Sequence, residues 1–485
     1  MSTLSELLPA GGGGSTVDFV ASGTLPNGKP VILKANGQVE VVSEVVDPTI
    51  VVGSPVVYES ADARTSSIVM LTATKAIVVY QDYANSSYGT ACILNISGTT
   101  ITAGTPAVFA SSSITSFDSL ALSATKALVT FRNNGNSLRG TGCVLSVSGS
   151  SITAGTHHIY DNARCDENQL AKLTDTKAMV VFSAYGRTEG YADILDISGT
   201  TITSGSTGSS LAFENSRILN IQVVALTSTK ALVTYKDLGN NYATACVLDV
   251  SGSTITAGTP SALQTSDISY PALAALTATK AIMIYSDQAN TNRASSRILD
   301  VSGTTITPAT PLVYDSAEDT AQQASIATLT ATKAVGVYKD RLNSQYGTAV
   351  TFNVSGSTVT LVDKEVFESG ITVDPSVIAL DSSKAIVAFQ DNSNSNYGTS
   401  VVFTTQTSTT NLTSTNFVGT STAAYTNGQT ATIAVQGGLS TNQTGLTIGS
   451  TYFVQPTGTL ATTAGTPSVN AGKALSATTL LLKDL

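Results

Sequence analysis

The stretch Leu71-Thr-Ala-Thr-Lys-Ala-Ile-Val-Val-Tyr80 recurs seven times, with small changes, along this chain of 485 residues. Successive copies are 50 to 53 residues apart. Each copy is followed by a polar loop and a further strand-like stretch and, in the first six copies, by a Ser-Gly turn and another β-rich stretch. Four short strands in about 50 residues are typical of a β-propeller blade. The lysines that mark the copies are Lys75, Lys126, Lys177, Lys230, Lys280, Lys333 and Lys384.

The central strand of each copy is apolar at consecutive positions, as in residues 76–80 and 231–235, where alternation would mark a half-exposed sheet. A strand of this kind belongs to a sheet that is covered on both faces, as a blade between two neighbours is. Double coverage also explains why only 12% of the residues are charged, against about 25% in average proteins.

The two ends of the repeat array complement each other. The seventh copy lacks the Ser-Gly turn and fourth strand, whereas residues 50–58 match residues 101–109 of the first copy. Pro55 precedes Lys75 by the same distance as Pro106 precedes Lys126. We therefore predict an all-β fold in which residues 46–408 form a seven-bladed propeller of four-stranded blades, with the N-terminal strand closing the last blade.

The remaining segments are predicted to serve attachment and assembly. Residues 1–45 contain a glycine run, Gly11 to Gly14, and then a small β element with Asn-Gly turns. Residues 409–485 contain strand-like pieces but only three charges, which favours an all-β module that packs against other chains.

Composition excludes several functions. The net charge of −9 and the absence of a basic stripe argue against nucleic-acid binding, and no apolar run is long enough for membrane insertion. His157 and His158 are adjacent on a strand and point to opposite faces, so they are predicted to be surface or inter-blade filler. The four cysteines are predicted to be free thiols, a disulfide being the alternative. We expect no metal and no cofactor.

Two charged positions recur and have two interpretations each. An Asp ends the second strand of five repeats, where it would either cap the following turn or contribute to a cation-binding ring. The repeat lysines fall in turns on one face of the disc, where they would be solvated or would dock an acidic partner. The aspartates are Asp82, Asp237, Asp287, Asp340 and Asp391, and the two other repeats have Asn133 and Ala184.

The two faces of the predicted disc differ. The turns between strands one and two and between strands three and four are nearly uniform, whereas the loops between strands two and three vary and are rich in Tyr, Asn, Ser and Arg. That composition suits adaptable recognition, so this face is the candidate ligand-facing surface. The candidate residues are Tyr83, Tyr88, Arg132, Arg139, Tyr185, Arg187, Tyr191 and Arg293. No catalytic residues are predicted.

The terminal segments resemble virion structural proteins of tailed bacteriophages, particularly marine and cyanobacterial ones. The resemblance rests on Leu7-Leu-Pro-Ala-Gly-Gly-Gly-Gly14 with residues 17–28, and on residues 426–438, 445–452 and 471–476. It covers about a quarter of the chain. It implies assembly into a virion, often as homotrimers, with other virion proteins as partners and one part of the protein exposed to the host. It supplies no catalytic residues.

The sequence thus predicts a non-enzymatic virion protein, a tail-fibre, tail or capsid appendage whose propeller binds a host-surface glycan or protein. It would be a homo-oligomer assembled in the host cytoplasm. One alternative is a secreted or surface adhesin or lectin, which the lack of a basic and apolar secretion signal at Met1 disfavours. The other is a glycan-cleaving propeller enzyme, which would need clustered carboxylates, Arg or His at the disc axis.

Overall fold

The computed structural model describes residues 16–47, 49–204, 210–315, 321–405 and 407–483. The predicted Gly11–Gly14 tether lies outside these residues. The described part of the chain is built from β-strands and one 3₁₀ turn, and it contains no helix long and apolar enough to cross a membrane. It divides into two compact units. Residues 16–47 and 407–483 form the flank unit, and residues 49–405 form the propeller.

The strands before the propeller are β1 (Thr16–Val20), β2 (Pro30–Leu33), β3 (Val39–Val41) and β4 (Glu44–Asp47). Those of the propeller are β5 (Val51–Val52), β6 (Val56–Thr72), β7 (Lys75–Asp82), β8 (Tyr88–Ser97), β9 (Thr100–Ala103), β10 (Ala107–Ser123), β11 (Lys126–Asn133), β12 (Arg139–Ser148), β13 (Ser151–Ala154), β14 (His158–Thr174), β15 (Lys177–Ala184), β16 (Gly190–Ser198), β17 (Thr201–Ile202), β18 (Leu211–Glu214), β19 (Ile218–Thr227), β20 (Lys230–Asp237), β21 (Tyr242–Ser251), β22 (Thr254–Ala257), β23 (Ser261–Gln264), β24 (Ile268–Thr277), β25 (Lys280–Asp287), β26 (Arg293–Ser302), β27 (Thr305–Pro308), β28 (Leu312–Asp315), β29 (Ala321–Thr330), β30 (Lys333–Asp340), β31 (Tyr346–Ser355), β32 (Thr358–Ala379), β33 (Lys384–Asp391) and β34 (Tyr397–Thr404). Those after it are β35 (Thr407–Thr410), β36 (Phe417–Ser421), β37 (Thr430–Ala434), β38 (Leu439–Ser440), β39 (Thr451–Val454), β40 (Leu460–Ala461), β41 (Val469–Ala474) and β42 (Leu480–Leu482). The 3₁₀ turn spans Gln288–Asn290.

Each lysine repeat forms an antiparallel sheet in which the lysine-bearing strand is second. In the first sheet β7 pairs with the second half of β6 on one side and with β8 on the other, and the fourth strand, β9 with the start of β10, pairs with β8. The same pairing recurs around β11, β15, β20, β25, β30 and β33. The described strands therefore form seven sheets of the predicted four-stranded pattern.

Neighbouring sheets share long strands. The first half of β10 is the outermost strand of the first sheet, and its second half, from Ile114, is the innermost strand of the next. β6, β14 and β32 cross between sheets in the same way. The innermost strands of all seven sheets line a central cavity of about 650 Å³.

The chain closes the ring as predicted. β5 and the start of β6 pair with β34, placing Val52 opposite Phe403 and Val57 opposite Thr399. On the inner side, the Ser66 hydroxyl of the first sheet donates to the Asp374 carbonyl of the seventh at 3.2 Å. The N-terminal strand is therefore the outermost strand of the last blade, and the fold is a β-propeller.

Aromatic rings fill the spaces between blades. At six of the seven junctions an aromatic side chain of the outermost strand meets one on the second strand of the next blade, with ring centroids 5.3 to 6.0 Å apart. Edge and tilted packing of this kind adds about 1 kcal/mol per pair to burial. The pairs are Tyr58–Tyr80, Phe109–Phe131, Tyr160–Phe182, Phe213–Tyr235, Tyr314–Tyr338 and Phe367–Phe389.

His157 is the inter-blade filler that was predicted. His157 lies edge-on to Phe131 and its Nε2 is 2.9 Å from the Phe109 carbonyl oxygen, so it spans a blade junction. All four cysteines are buried and free. Burial raises the pKa of the Cys92 and Cys143 thiols to about 11, which makes thiolate chemistry unfavourable near neutral pH.

Four repeat lysines link neighbouring blades, a role that neither the solvated-turn nor the partner-docking interpretation included, although their bonds are solvent-exposed. The Nζ of Lys75, Lys126 and Lys177 each donates to the glycine carbonyl of the next blade's Ser-Gly turn at 2.8 Å. Lys230 makes the same bond at 2.9 Å. The four-carbon stem of lysine lets its ammonium group reach across the gap between blades. The sequence places each lysine in a turn but does not show which acceptor of the next blade lies within its reach.

The flanks form one unit, whereas the sequence predicted two separate elements. Strands from both ends of the chain form a single sheet of order β1-β37-β36-β2-β3, in which β37 and β36 lie between β1 and β2. In addition, β4 pairs with β35. We call this sheet the first flank sheet. The second flank sheet has the order β38-β42-β41-β39-β40.

The two flank sheets are duplicates of each other. The order of the strands is the same in both sheets, and so is the register with its bulge. In the first flank sheet the bulge lies between the pairs Val31–Gly419 and Ile32–Phe417. In the second it lies between the equivalent pairs Tyr452–Gly472 and Phe453–Asn470. Backbone bonds also correspond. The Gly28 N–H donates to the Ser421 carbonyl at 2.9 Å, and the equivalent Gly449 N–H donates to Ala474 at 2.8 Å.

The duplication shows where the propeller lies in the chain. In the second flank sheet β40 connects to β41 through residues 462–468. In the first flank sheet the equivalent connection, from β3 to β36, carries β4, the entire propeller and β35. The propeller is thus inserted into one loop of a duplicated β unit.

Candidate functional site

The loop face is the surface formed by the connections between second and third strands of each blade. Its segments are residues 82–88, 133–139, 184–190, 237–242, 287–293, 340–346 and 391–397. On this same side the outermost strand of each blade leads into the innermost strand of the next. We call these connections the entry segments, and their side chains contact the loops.

The recurring aspartates cap the loops. Asp237 Oδ1 accepts the Gly239 N–H at 2.7 Å, and Asp391 Oδ1 accepts the Ser393 and Asn394 N–H groups at 3.1 Å. Asp82, Asp287 and Asp340 accept the equivalent bonds. Within the described ranges no group of three or more His, Cys, Asp or Glu side chains is arranged to hold a metal ion. The geometry therefore favours the turn-capping interpretation over a cation ring.

In the first blade an arginine lies over Tyr83. The Arg64 guanidinium carbon is 3.3 Å from the centroid of the Tyr83 ring, which is 48% exposed. The Nε donates to both carboxylate oxygens of Asp62 and the Nη2 donates to Oδ2, and these bonds hold the guanidinium there. Tyr88 is half-buried at the other end of the same loop, opposite Asp82 in the strand register. A cation above an exposed ring is a rigid, partly apolar contact surface.

The blades around β15 gather arginines on one carboxylate. Asp166 receives Arg164 at 3.1 Å, Arg217 at 2.8 Å and Arg132 at 4.0 Å, and it is nearly buried between them. Arg139 lies opposite Arg164 in the strand register. Because three guanidiniums share one carboxylate, several of their N–H donors are left for other acceptors.

The third-blade loop is held by different contacts. Arg187 pairs with the buried Asp161 at 2.9 Å and lies 4.9 Å from the Tyr191 ring centroid. Tyr191 stacks on Phe182 at 5.6 Å, and its hydroxyl donates to Glu189 at 2.5 Å. Tyr185, 62% exposed, lies 4.8 Å from the Arg164 guanidinium carbon.

Five of the eight candidate residues lie on two adjacent blades, and the other three lie on the first and fifth blades. Arg132, Arg139, Tyr185, Arg187 and Tyr191 belong to the second and third blades. Tyr83 and Tyr88 belong to the first. Arg293 belongs to the fifth, where its Nη1 is 3.4 Å from Asn290 Oδ1.

Sequence reasoning missed the residues of the entry segments, Arg64, Arg164, Asp166 and Arg217. A usable signal was present. The alignment of the repeats places Arg64 and Asp166 at one common position, 11 residues before their repeat lysines, and Arg164 and Arg217 at another, 13 residues before theirs. Comparing those positions across repeats would have shown charge concentrated in a few blades.

The axis of the disc opens on the same side. A cavity of about 450 Å³ is lined by polar side chains of the innermost strands, among them Asp118, Gln222 and Gln323. Burial raises the pKa of Asp118 to about 6. Both of its carboxylate oxygens accept backbone N–H groups, from Ser119 and Leu170 at 2.8 Å, so the carboxylate links neighbouring blades.

Comparison with solved structures agrees with the propeller fold. The chain is similar to the BP39L lectin from Burkholderia pseudomallei, with 7% identity and a TM-score of 0.51, over 72% of this chain and 97% of that chain. It also matches a prolyl endopeptidase (11% identity, TM-score 0.45, 69% of this chain and 46% of that chain) and the Hadza microbial sialidase Hz136 (10%, 0.44, 76% and 69%). No protein-family model and no curated protein sequence matches the chain. At 7% identity the likeness to the lectin is one of fold alone.

Proposed function

We propose that this chain is a non-enzymatic structural protein of a phage virion. In this proposal the flank unit attaches to other particle proteins, and the propeller is displayed with its loop face towards a glycan or protein of the host surface. The parts of the terminal resemblance that lie in described residues, 17–28, 426–438, 445–452 and 471–476, fall in the flank unit, which the proposal assigns to attachment.

The observation that carries the proposal is the inserted position of the propeller. The second flank sheet makes the same connection with residues 462–468 alone, so a sheet of this type needs no large insert to fold. The propeller is therefore an addition to a β unit whose sheets form without it, an arrangement that suits a displayed domain.

Binding at the loop face is supported by its ordered arginine and tyrosine side chains. Arg64 and Arg164 lie over exposed tyrosine rings, and both are fixed by carboxylates of the entry segments. Arg and Tyr contribute disproportionately to recognition because they combine area, hydrogen-bond donors and limited flexibility. The recurring loop carboxylates already serve as turn caps, which favours binding over acid–base catalysis.

The test uses the full-length protein on purified host surface polysaccharide. We expect binding that Tyr185→Ala or Arg164→Gln weakens at least tenfold, whereas Lys75→Gln, on the opposite face, leaves it unchanged. Release of reducing ends would favour the glycan-cleaving alternative. Equal binding by all variants would contradict a loop-face site, and absence of the chain from purified particles would contradict the virion role.

A further inference from the structure

Positive charge is concentrated where the second, third and fourth blades meet on the loop face. The ion pairs that the arginines of this region make within the described residues all end on one carboxylate, Asp166. Glu167, a second carboxyl close to Arg217, already accepts the Ile221 N–H at 3.3 Å. Four guanidiniums thus share two carboxyl groups in a chain whose net charge is −9. We call this group the arginine cluster, and it consists of Arg132, Arg139, Arg164 and Arg217.

Many N–H donors of the arginine cluster have no protein acceptor. The Nε of Arg132 donates to Thr115 Oγ1 at 2.8 Å, and the terminal nitrogens of Arg132 make no hydrogen bond within the described ranges. Arg164 approaches Asp166 through its Nε, and Arg217 approaches it through one Nη. Because a guanidinium carries five N–H donors, these three groups keep donors that Asp166 does not use. They are available to a further anion.

Arg139 is the least satisfied member of the arginine cluster. Within the part of the chain that the structure describes, its side chain makes no ion pair and no hydrogen bond, and its Nε is buried. The strand register places it directly opposite Arg164. Like charges at opposed positions of antiparallel strands are destabilising, and a desolvated donor without an acceptor adds to that cost. Arrangements that depart from the most stable one are expected at functional sites, and an anion bound beside both arginines would offset both costs.

An exposed aromatic ring lies next to the arginine cluster. The Tyr185 N–H donates to the Arg164 carbonyl at 2.8 Å, which holds the third-blade loop against the entry segment. The Tyr185 ring is thereby kept beside the Arg164 guanidinium. A tyrosine ring offers an apolar face with a polar tip, and guanidiniums bind oxyanions through paired N–H donors. The combination suits a sugar ring that carries an acidic group.

We propose that the arginine cluster and Tyr185 bind an acidic polysaccharide, one whose sugar rings carry carboxylate or sulfate groups. Tyr185 contacts the face of a sugar ring, and the unused N–H groups of the arginines donate to its oxyanion. The inference rests on the function proposed above and names the chemical class of glycan that the loop face binds.

The first test compares ligands and needs no variant. Full-length protein is measured on immobilised polygalacturonate and dextran sulfate, each beside its neutral counterpart, carboxyl-reduced polygalacturonate and dextran. We expect binding to at least one acidic polymer to be at least tenfold tighter than to its neutral counterpart, and the preferred polymer identifies the group bound as carboxylate or sulfate. Equal binding to both members of each pair, or binding to none of the four, overturns the inference.

The second test locates the site. Arg139→Gln should weaken binding to the acidic polymer at least tenfold while its unfolding temperature stays at or above that of the wild type, because Arg139 has no protein partner to lose. Arg341→Gln is the matched control, since it removes one charge from an exposed arginine in the sixth-blade loop of the same face, and it should leave binding unchanged. Equal losses in the two variants would indicate attraction to overall charge and overturn the site, as would wild-type binding by Arg139→Gln.

Two outcomes separate this inference from the proposed function. Binding to purified host polysaccharide that is unchanged after its carboxylates are reduced and its sulfates removed overturns the inference only. Binding to the acidic polymers through the arginine cluster, with none to the host polysaccharide, contradicts the proposed function only.

Discussion

Replacing Tyr58 by alanine tests whether the N-terminal strand holds the ring closed. Tyr58 is buried on the strand segment that pairs with β34, and its ring meets Tyr80 of the first blade at 5.3 Å. Truncating a buried aromatic residue costs about 3–5 kcal/mol, of which the ring pair accounts for about 1. We expect Tyr58→Ala to lower the free energy of unfolding by that amount, and Tyr58→Phe, which keeps the ring pair, to lower it by less than about 1 kcal/mol.

Phe109→Ala is the matched control, because Phe109 has the same role at a junction where the chain is continuous. The assay is urea unfolding of the full chain followed by circular dichroism, with the propeller transition analysed separately from that of the flank unit. Equal losses for the two alanine variants support closure by the terminal strand. A loss below about 1 kcal/mol for Tyr58→Ala beside a full loss for Phe109→Ala would refute it, since the terminal strand would then contribute little to the ring.

Three further predictions concern single side chains. Lys126→Met should lower the free energy of unfolding by about 1 kcal/mol, because its bond to the next blade is lost. Lys384→Met should cost less, because Lys384 pairs with an exposed carboxylate of its own turn. Urea unfolding compares the two variants. Burial raises the pKa of Asp193 to about 6, so between about pH 4 and 6 the folded state binds a proton that the unfolded state has lost, and wild-type stability falls as pH rises through that window. The stability of Asp193→Asn relative to wild type should therefore rise by about 2–3 kcal/mol from pH 4 to pH 7. A difference that stays constant with pH would contradict the raised pKa. Gly28→Ala should destabilise the flank unit more than Gly449→Ala in thermal unfolding. Both glycines have positive φ, but a Cβ at Gly28 would lie 2.6 Å from the backbone carbonyl oxygen of Asn442, in the loop after β38, whereas the space at Gly449 is open. Equal losses would argue against the contact between Gly28 and that loop.

The propeller could be predicted because its information is local and repeated. A period of 50 to 53 residues identifies the blade, consecutive apolar residues identify the central strand, and the match of residues 50–58 to 101–109 identifies the closing strand. Each of these signals lies within one repeat or compares two repeats directly. The structure adds that the outermost strand of one blade continues into the innermost strand of the next, as in β10.

The duplication in the flank unit could not be found by a search for a fixed period. One copy is interrupted by the propeller, and the two copies share little beyond glycines at turns, such as Gly37 and Gly458. The correspondence lies in hydrogen bonding: the N–H of Gly37 donates to the Lys34 carbonyl and that of Gly458 to the Gln455 carbonyl, each at 2.9 Å. Backbone register preserves the relation where side chains have diverged.

The arginine cluster around Asp166 was missed for a different reason, since it depends on convergence between blades. Arg132 and Arg217 are 85 positions apart in the sequence, and they meet on one carboxylate because two blade junctions bring them to the same bulge in β14. A loop-by-loop comparison detects composition, and it detected Arg132 in this way. It does not detect which side chains of adjacent blades share a partner.

The third blade differs from the others at its loop, where three of the candidate residues lie, Tyr185, Arg187 and Tyr191. The third blade has Ala184 where five others have a capping aspartate, so its loop lacks the usual carboxylate acceptor. Arg187 replaces that restraint by pairing with the buried Asp161 of the preceding entry segment. The guanidinium that anchors this loop also lies near an aromatic ring, so the loop presents charge and apolar area together. The carboxylate of an aspartate cap, in contrast, accepts the backbone N–H groups of its own turn. Loss of the aspartate cap and gain of the Arg187–Asp161 pair are therefore one structural change, and the lysine links on the opposite face hold the blades in place while this loop differs from its neighbours.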